Sequence, residues 1–341
     1  MRIAIVNDLA IAREVLRRLV LSVSGHSIAW FAEDGDVAVK LAAADTPDVI
    51  LMDLIMPRLN GVEATRQIMK IAPCPILVVT ATVSGNYDLV IQAMGAGAID
   101  AAETPVLGAG GMIQNGEKLL ARLSKLGAAM GTVTRSWMAV NIPAAAPAGN
   151  LPPLVLLGAS TGGPDALAVV VSAFPANFPA AVLIVQHIAA EYTPGLVQQL
   201  GMRCALPVRI ANDGDRPTAG TVLVAASNDH LEMTSECTLR YTPKPQHYPF
   251  RPSVDVLFSS CARRWPQPGV AALLTGMQTD GAEGLLQLRS LLWYTIAQDE
   301  ATCVVYGMPK AAAEKRAAVE VLPLNHIGPA IVAKILTPSR R

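Results

Sequence analysis

Charged residues are scarce in this 341-residue chain: Asp, Glu, Lys and Arg together make up 16%, against about 25% in ordinary domains. Lys+Arg and Asp+Glu stand at 27 each, so no overall basic field points to nucleic acid. Aromatics are few at 4%, and the tryptophans and phenylalanines are too dispersed to form a base-stacking surface. Of the five cysteines (Cys74, Cys204, Cys237, Cys261 and Cys303) none forms a C-x-x-C pair, which excludes a zinc ribbon or a disulfide framework and fits reduced cytosolic thiols. No apolar run approaches the length of about 18 residues that a membrane span needs. Asp8 interrupts MRIAIVND where a signal peptide would continue its apolar core. A cytoplasmic protein without direct membrane insertion is expected.

Apolar residues, by contrast, are plentiful at 52%, and the length favours two domains. RIAIV, SIAWFA, DVILM, PILVVT and AIDAA read as strands, and residues near 10–22, 36–44, 61–71, 86–95 and 111–125 as helices. Near-continuous apolar strands alternating with helices imply a parallel sheet covered on both faces. Prolines 143, 147, 152 and 153 and a loss of periodicity mark 127–153 as a linker, in which Trp137 of TRSWMAV is expected to pack. Beyond it LVLLG, AAVLIVQ, TVLVA, CTLRYT, VAALLT and YTIAQ read as strands of a second α/β domain that ends in a helix near 325–336. The expected architecture is two doubly wound, mostly parallel-sheet domains: residues 1–126 flavodoxin-like, 154–338 Rossmann-like.

Ligands of open parallel sheets sit beyond the carboxyl ends of the strands. In the first domain those ends present Asn7-Asp8, Asp53, Thr80 and Thr104-Pro105. Asp8 and Asp53 could hold Mg²⁺ with waters, Asp53 could attack a phosphoryl group, and Thr80 could donate to the acyl phosphate. The pattern IVND…DVILMDLIMPRLNG…ILVVTA…AIDAAETP resembles the receiver domains of response regulators. The resemblance implies Asp53 as phosphoacceptor, Asp8, Asp53 and the Ile55 carbonyl as Mg²⁺ ligands, and Thr80 as the switch hydroxyl. Two positions depart from the pattern. Asn7 stands where receivers usually carry a second acid, and Thr104 where they usually carry the lysine that pairs with the phosphate.

In the second domain GASTGG fits G-x-S-x-G, a sharp strand-to-helix turn that exposes its serine. Taken alone, Ser160 reads equally well as a helix cap. Its company changes this: Gln186-His187 follow the strand AAVLIVQ, and Gly276, Met277 and Asp280 follow VAALLT. If the three strands are neighbours, a hydroxyl, an imidazole and a carboxylate converge, which is what nucleophilic catalysis requires. The chain order Ser–His–Asp differs from that of the α/β-hydrolases. Asp280 with Glu283 also reads as a helix N-terminus, and Ser253 and Asp255 as the start of another. His230 and Arg251 lie in flanking loops, while His26, His247 and His326 read as surface or structural residues.

GASTGGPDAL, FPAAVLIVQHI, RPSVDVLF, LLTGMQTDGAEGL and YTIAQDEATCVVYGMP together resemble the protein-glutamate methylesterase CheB, with receiver and linker in the same order. The resemblance implies hydrolysis of glutamate γ-methyl esters on methyl-accepting chemoreceptors, with receptor glutamine deamidation in addition, and no cofactor for the ester chemistry. It assigns Ser160 as nucleophile, His187 as base, Asp280 as its orienting acid, and the backbone N–H groups of His187 and Met277 as the oxyanion hole. It also implies a CheA-like histidine kinase as phosphodonor and a receiver that covers the effector cleft until modified. Asn7 and Thr104 resemble the receivers of WspF-like members from alternative chemosensory pathways. Gln278 stands where the family usually has glycine. Two other readings compete: a catalytically weak regulator that binds receptor or kinase, and a generic serine esterase.

Overall fold

The computed structural model describes residues 1–81, 86–108, 112–130 and 151–337. Trp137 and most of the expected linker lie outside them. The chain divides into two compact units, Met1–Ser136 and Trp137–Arg341.

The first unit runs β1 (Arg2–Val6), α1 (Ala10–Leu21), β2 (Ser27–Ala32), α2 (Gly35–Ala44), β3 (Val49–Met52), α3 (Gly61–Ile71), β4 (Ile76–Thr80), α4 (Tyr87–Ala96) and β5 (Asp100–Glu103). The strands form one parallel sheet in the order β2-β1-β3-β4-β5. Residues Ile3 to Val6, Val49 to Met52 and Ile76 to Val79 are essentially unexposed, which is why these strands read as unbroken apolar runs. Helix starts follow their caps: Asp34 accepts from the Val37 N–H at 2.8 Å and Asn60 from the Glu63 N–H at 2.9 Å. One expectation fails after β5. Instead of a helix from residue 111, Val106–Leu107 (β6) and Ile113–Gln114 (β7) pair as an antiparallel ribbon, and α5 (Gly116–Met130) begins only at Gly116. Asn115 sits at φ +63, a left-handed residue that ends the ribbon and blocks an earlier helix start.

The second unit runs β8 (Leu154–Ala159), α6 (Gly163–Val171), β9 (Ala181–Gln186), α7 (Thr193–Arg203), β10 (Val208–Ile210) and β11 (Thr221–Val224). There follow β12 (His230–Met233), β13 (Leu239–Thr242), α8 (Val254–Arg264), β14 (Val270–Leu273), α9 (Ala282–Ser290), β15 (Tyr294–Gln298), α10 (Met308–Glu314), β16 (Glu320–Leu322) and α11 (Leu324–Leu336). Seven strands form a parallel sheet in the order β10-β11-β9-β8-β14-β15-β16. The CTLRYT strand is not part of it: β13 pairs antiparallel with β12 in a separate ribbon. The short strands β10, β12 and β16 escape sequence reading because three or four residues carry too little periodicity. The chain builds outward from β8 through β9 on one side, then returns to place β14 on the other. That reversal opens a crevice at the carboxyl ends of β8 and β14.

Candidate active site and phosphoacceptor pocket

Ser160, His187 and Asp280 all leave the carboxyl ends of central strands, and all three are buried. Ala159 pairs with Gln186 in the β8–β9 register, so Ser160 and His187 are the next residues on strands about 4.8 Å apart. The Ser160 N–H donates to the Thr275 carbonyl at 3.0 Å, which ties the serine to the end of β14 as well. Glycine leaves room for side chains at two close approaches: a Cβ on Gly163 would run into Gln186 Oε1, and one on Gly276 would lie 2.7 Å from Ser160 Cβ. Gln186 holds the turn from beneath, donating through Nε2 to the Ser160 carbonyl at 2.8 Å.

The imidazole of His187 meets Asp280 through Nε2, at 2.7 Å from Oδ2. Asp280 also accepts from Ser253 Oγ at 2.7 Å, from the Val254 N–H at 2.7 Å and from the Asp255 N–H at 3.2 Å. The carboxylate therefore sits on the N-terminus of α8, where partial positive charge favours an anion. Burial alone would raise its pKa, but the hydrogen bonds and charge of His187, with the donors Ser253 and Val254, hold it below the usual carboxylate range. Four donors around an anion fix the tautomer: Nε2 carries the proton and Nδ1 its lone pair. Nδ1 is buried and has no partner among the described residues, and the Ser160 hydroxyl makes no hydrogen bond among them either. Phe250 lies flat on the other side of the His187 ring, centroids 4.5 Å apart and planes 10° from parallel.

The two expected oxyanion donors differ. The His187 N–H already donates to the Ala159 carbonyl at 3.0 Å, a continuation of the strand pairing that removes it as a free donor. The Met277 N–H makes no hydrogen bond among the described residues, nor does that of Thr161, the residue after Ser160. Gln278 occupies φ +66, a left-handed conformation that glycine adopts without strain, which accounts for a glycine preference there. Ser253 and Asp255 do begin a helix, as their sequence suggested, and Ser253 caps α8 by accepting from the Val256 N–H at 3.4 Å.

Asp255 was read only as a helix start. Its Oδ1 accepts from the Gly284 N–H of α9 at 2.7 Å, while Asp280, which precedes α9, accepts from α8: the two helices cap each other. Burial first, then the adjacent Asp280 charge, pushes the Asp255 carboxyl well above its ordinary pKa.

In the first unit, Asp53 follows β3 with its Oδ1 accepting from the Leu54 N–H at 2.7 Å. Asn7 donates from Nδ2 to Asp53 Oδ2 at 2.9 Å and accepts the Leu9 N–H on Oδ1 at 2.9 Å. The amide thus supplies a donor where a second acid would add negative charge. Burial, reinforced by the charge of Asp8, raises the Asp53 pKa to about 6. Thr80 Oγ1 accepts from Asn86 Nδ2 at 3.1 Å, and the Thr104 N–H donates to the Thr80 carbonyl at 2.9 Å. Arg13, which sequence reading missed, donates to the carbonyls of Asn7 at 2.6 Å and Asp8 at 3.0 Å. The hard oxygens of Asp8, Asp53 and the Ile55 carbonyl suit Mg²⁺, which takes one or two carboxylates and keeps waters. A cation there would offset the cost of ionising the buried Asp53 carboxyl, whose pKa is raised chiefly by burial. No group of three or more His, Cys, Asp or Glu that could hold a metal ion occurs among the described residues.

Fold and site together define a receiver domain joined to an effector that gathers serine, imidazole and carboxylate at parallel-strand ends. Residues 155–331 match the CheB methylesterase family and residues 3–106 the response regulator receiver domain. The chain belongs to the CheB methylesterase family. It is 48% identical over 342 residues to the protein-glutamate methylesterase/protein-glutamine glutaminase 4 of Burkholderia thailandensis, covering 98% of each chain. It is 49% identical to the protein-glutamate methylesterase/protein-glutamine glutaminase of Mesorhizobium japonicum, covering 97% of this chain and 98% of that one. The catalytic domain of Thermotoga maritima CheB methylesterase superposes with a TM-score of 0.52 at 32% identity, covering 54% of this chain and 98% of that domain. A receiver domain implies a histidine kinase partner. Among the described residues no helix is long and apolar enough to cross a membrane.

Proposed function

We propose that this protein hydrolyses glutamate γ-methyl esters on methyl-accepting chemoreceptors in the cytoplasm, and deamidates receptor glutamines by the same chemistry. Residues 154–338 would act under the control of a receiver, residues 1–126, through the 127–153 linker. The observation that carries this reading is the His187 imidazole, bound through Nε2 to Asp280 at 2.7 Å with Nδ1 unpartnered beside the strand end that bears Ser160.

In the reaction Ser160 Oγ attacks the ester carbonyl and passes its proton to His187 Nδ1. The resulting imidazolium is stabilised by Asp280. The Met277 and Thr161 N–H groups are the donors for the tetrahedral oxyanion, and each such donor contributes about 3–4 kcal/mol in comparable sites. Collapse breaks the C–O bond to methoxide, which leaves as methanol with the proton from Nδ1. Water then attacks the acyl-enzyme with His187 Nδ1 as base, Ser160 Oγ leaves with that proton, and the glutamic acid loses its remaining proton to solvent. A glutamine amide follows the same path and releases ammonia.

The receiver takes a phosphoryl group on Asp53 from a CheA-like kinase. Mg²⁺, held by Asp8, Asp53 and the Ile55 carbonyl, would neutralise charge on the transferring phosphoryl oxygens. Asn7 orients Asp53, and Thr80 turns from Asn86 to the phosphoryl oxygen. With Thr104 in place of a lysine, the phosphoryl group lacks a side-chain cation from β5, which favours a weaker switch.

The test is methanol release from membranes bearing the cognate methylated receptor, comparing wild type with Ser160→Ala. Release that disappears in the variant supports the reading. Equal release from both rejects Ser160 as the nucleophile, and no release from folded wild type favours a receptor-binding regulator.

A further inference from the structure

His230 is a fully buried histidine outside the three-residue site, and its two ring nitrogens are both engaged. Nδ1 faces the Ser253 N–H at 3.2 Å, and Nε2 faces the Pro245 carbonyl at 3.1 Å. A backbone N–H can only donate and a carbonyl can only accept. The imidazole is therefore neutral, with its proton on Nε2. Burial, the largest influence, also lowers its pKa, which agrees with the neutral form that the hydrogen bonds require.

Both partners bound one segment. Residues 245–253 leave the β12–β13 ribbon at Pro245 and enter α8 at Ser253, and one imidazole joins the two ends. Between them Tyr248 meets the His230 ring edge-on at 5.8 Å, and Phe250 covers the His187 ring. At the far end Ser253 Oγ donates to Asp280 and the next two N–H groups complete that carboxylate's shell. The ribbon that carries His230 is itself fixed to α8, since the Met233 N–H donates to Ser260 Oγ at 2.9 Å. Position at His230 is thus transmitted along two routes to one ring: through Ser253 and Asp280 to its Nε2, and through the strap and Phe250 to its face.

We propose that His230 is a positioning residue for ester hydrolysis, clasping the 245–253 strap at both ends so that Asp280 and Phe250 hold His187 in its reactive orientation. The inference rests on the assignment of Ser160, His187 and Asp280 given above. It does not require His230 to touch substrate.

The two contacts can be separated by substitution in the full-length protein. His230→Asn places an amide oxygen near the position of Nδ1 and keeps an acceptor for the Ser253 N–H. His230→Gln places an amide nitrogen near Nε2 and keeps the Pro245 contact, and His230→Leu keeps neither. With a receptor peptide carrying a glutamate γ-methyl ester, His230→Leu should lower kcat by about tenfold or more, as misplacement of a reacting group does, with KM nearly unchanged. His230→Asn should recover most of that loss and His230→Gln should not, because the Ser253 end leads to Asp280. The downfield proton resonance of the His187–Asp280 hydrogen bond should vanish in His230→Leu and return in His230→Asn. Where His230→Leu does not fold, the order of Asn above Gln decides alone.

Wild-type kcat in folded His230→Leu, or equal kcat in the Asn and Gln variants, overturns the proposal. Ser160→Ala is run in parallel. If it keeps activity, the assignment of the nucleophile fails; if it is inactive while the His230 variants behave as wild type, only the present inference fails.

Discussion

Asp280→Asn separates the catalytic role of the carboxylate from its architectural one. Four donors converge on its two oxygens, and an amide has only one oxygen to offer them. Turned so that the oxygen replaces Oδ1, the amide nitrogen faces His187 Nε2 and the Val254 N–H. His187 must then carry its proton on Nδ1, where the serine proton has to go. Turned the other way, the tautomer survives, but the Asp255 N–H loses its acceptor and no anion remains to stabilise the imidazolium. Either orientation should lower kcat by roughly 10²–10⁴, the upper end matching loss of the carboxylate in serine-protease triads, or about 3–5 kcal/mol of barrier. Stability should fall as well. One buried N–H left without an acceptor costs about 1–3 kcal/mol, and α8 loses the anion at its N-terminus. A drop of about 2–3 kcal/mol corresponds to roughly 5–10 °C in Tm for a domain of this size. Relief of the repulsion on Asp255 offsets part of it.

The assay pairs methanol release at saturating substrate with thermal unfolding of the full chain. Ser160→Ala is the control: its buried hydroxyl has no partner to lose among the described residues, so activity should vanish while stability does not fall. Asp280→Asn with the expected loss of stability but near-normal kcat would refute the reasoning, making the carboxylate a helix cap and nothing more.

Gln278→Gly should stabilise the effector by up to about 1 kcal/mol in thermal unfolding, since φ +66 costs an L-residue roughly 1–2 kcal/mol and glycine returns part of that as entropy; unchanged or lower Tm would show that Gln278 contacts outweigh the strain. Gly276→Ala should reduce kcat by an order of magnitude or more while the protein still folds, because the new Cβ would press on Ser160 Cβ at 2.7 Å and on the Met308 sulfur, and small misplacements of a nucleophile are costly; wild-type kcat would place the close approach elsewhere. For the receiver, Asp53 has a folded pKa of about 6 against 3.8, so the folded state binds more protons between these values and its stability should fall as pH rises through that window. Asp53→Asn should remove this dependence, stabilise the domain above pH 6 and abolish any gain in Tm from added Mg²⁺; a pH-independent wild type would contradict the buried, charge-crowded carboxylate.

How much of this was legible beforehand depends on the range of the interaction. Strands such as VILM and AVLIVQ are buried on both faces and announce themselves as apolar runs, so the two parallel sheets follow from the sequence. Ser160 and His187 were visible because each directly follows such a run, and Asp280 because it lies in the loop that leaves the VAALLT run. His230 and Asp255 carried no comparable signal. Their roles depend on long-range contacts, His230 with Pro245 and Ser253 and Asp255 with Gly284, and no local pattern encodes those pairings. The unpaired N–H groups of Thr161 and Met277 were hidden for another reason: whether a backbone N–H is spare depends on strand register, and the β8–β9 pairing consumes the one on His187.

The reciprocal capping of α8 and α9 gives the site a physical logic of its own. Asp280 could not stay ionised in a fully buried position without several donors, and the N-terminus of α8 supplies them in fixed positions. Asp255, in the first turn of α8, returns the contact to α9, and burial with the adjacent Asp280 charge pushes its pKa up. The pair therefore divides its tasks, one carboxyl facing His187 with its pKa held down, the other holding the second helix with its pKa pushed up. Removing Asp255 should consequently act on catalysis through geometry: Asp255→Asn preserves a neutral acceptor for the Gly284 N–H and should leave kcat within about threefold of wild type, whereas Asp255→Ala leaves that buried N–H unpaired at about 1–3 kcal/mol and lets α9, with Asp280 at its entrance, shift. Equal kcat in the Asn and Ala variants would mean that α9 needs no cap from α8 to keep Asp280 in place.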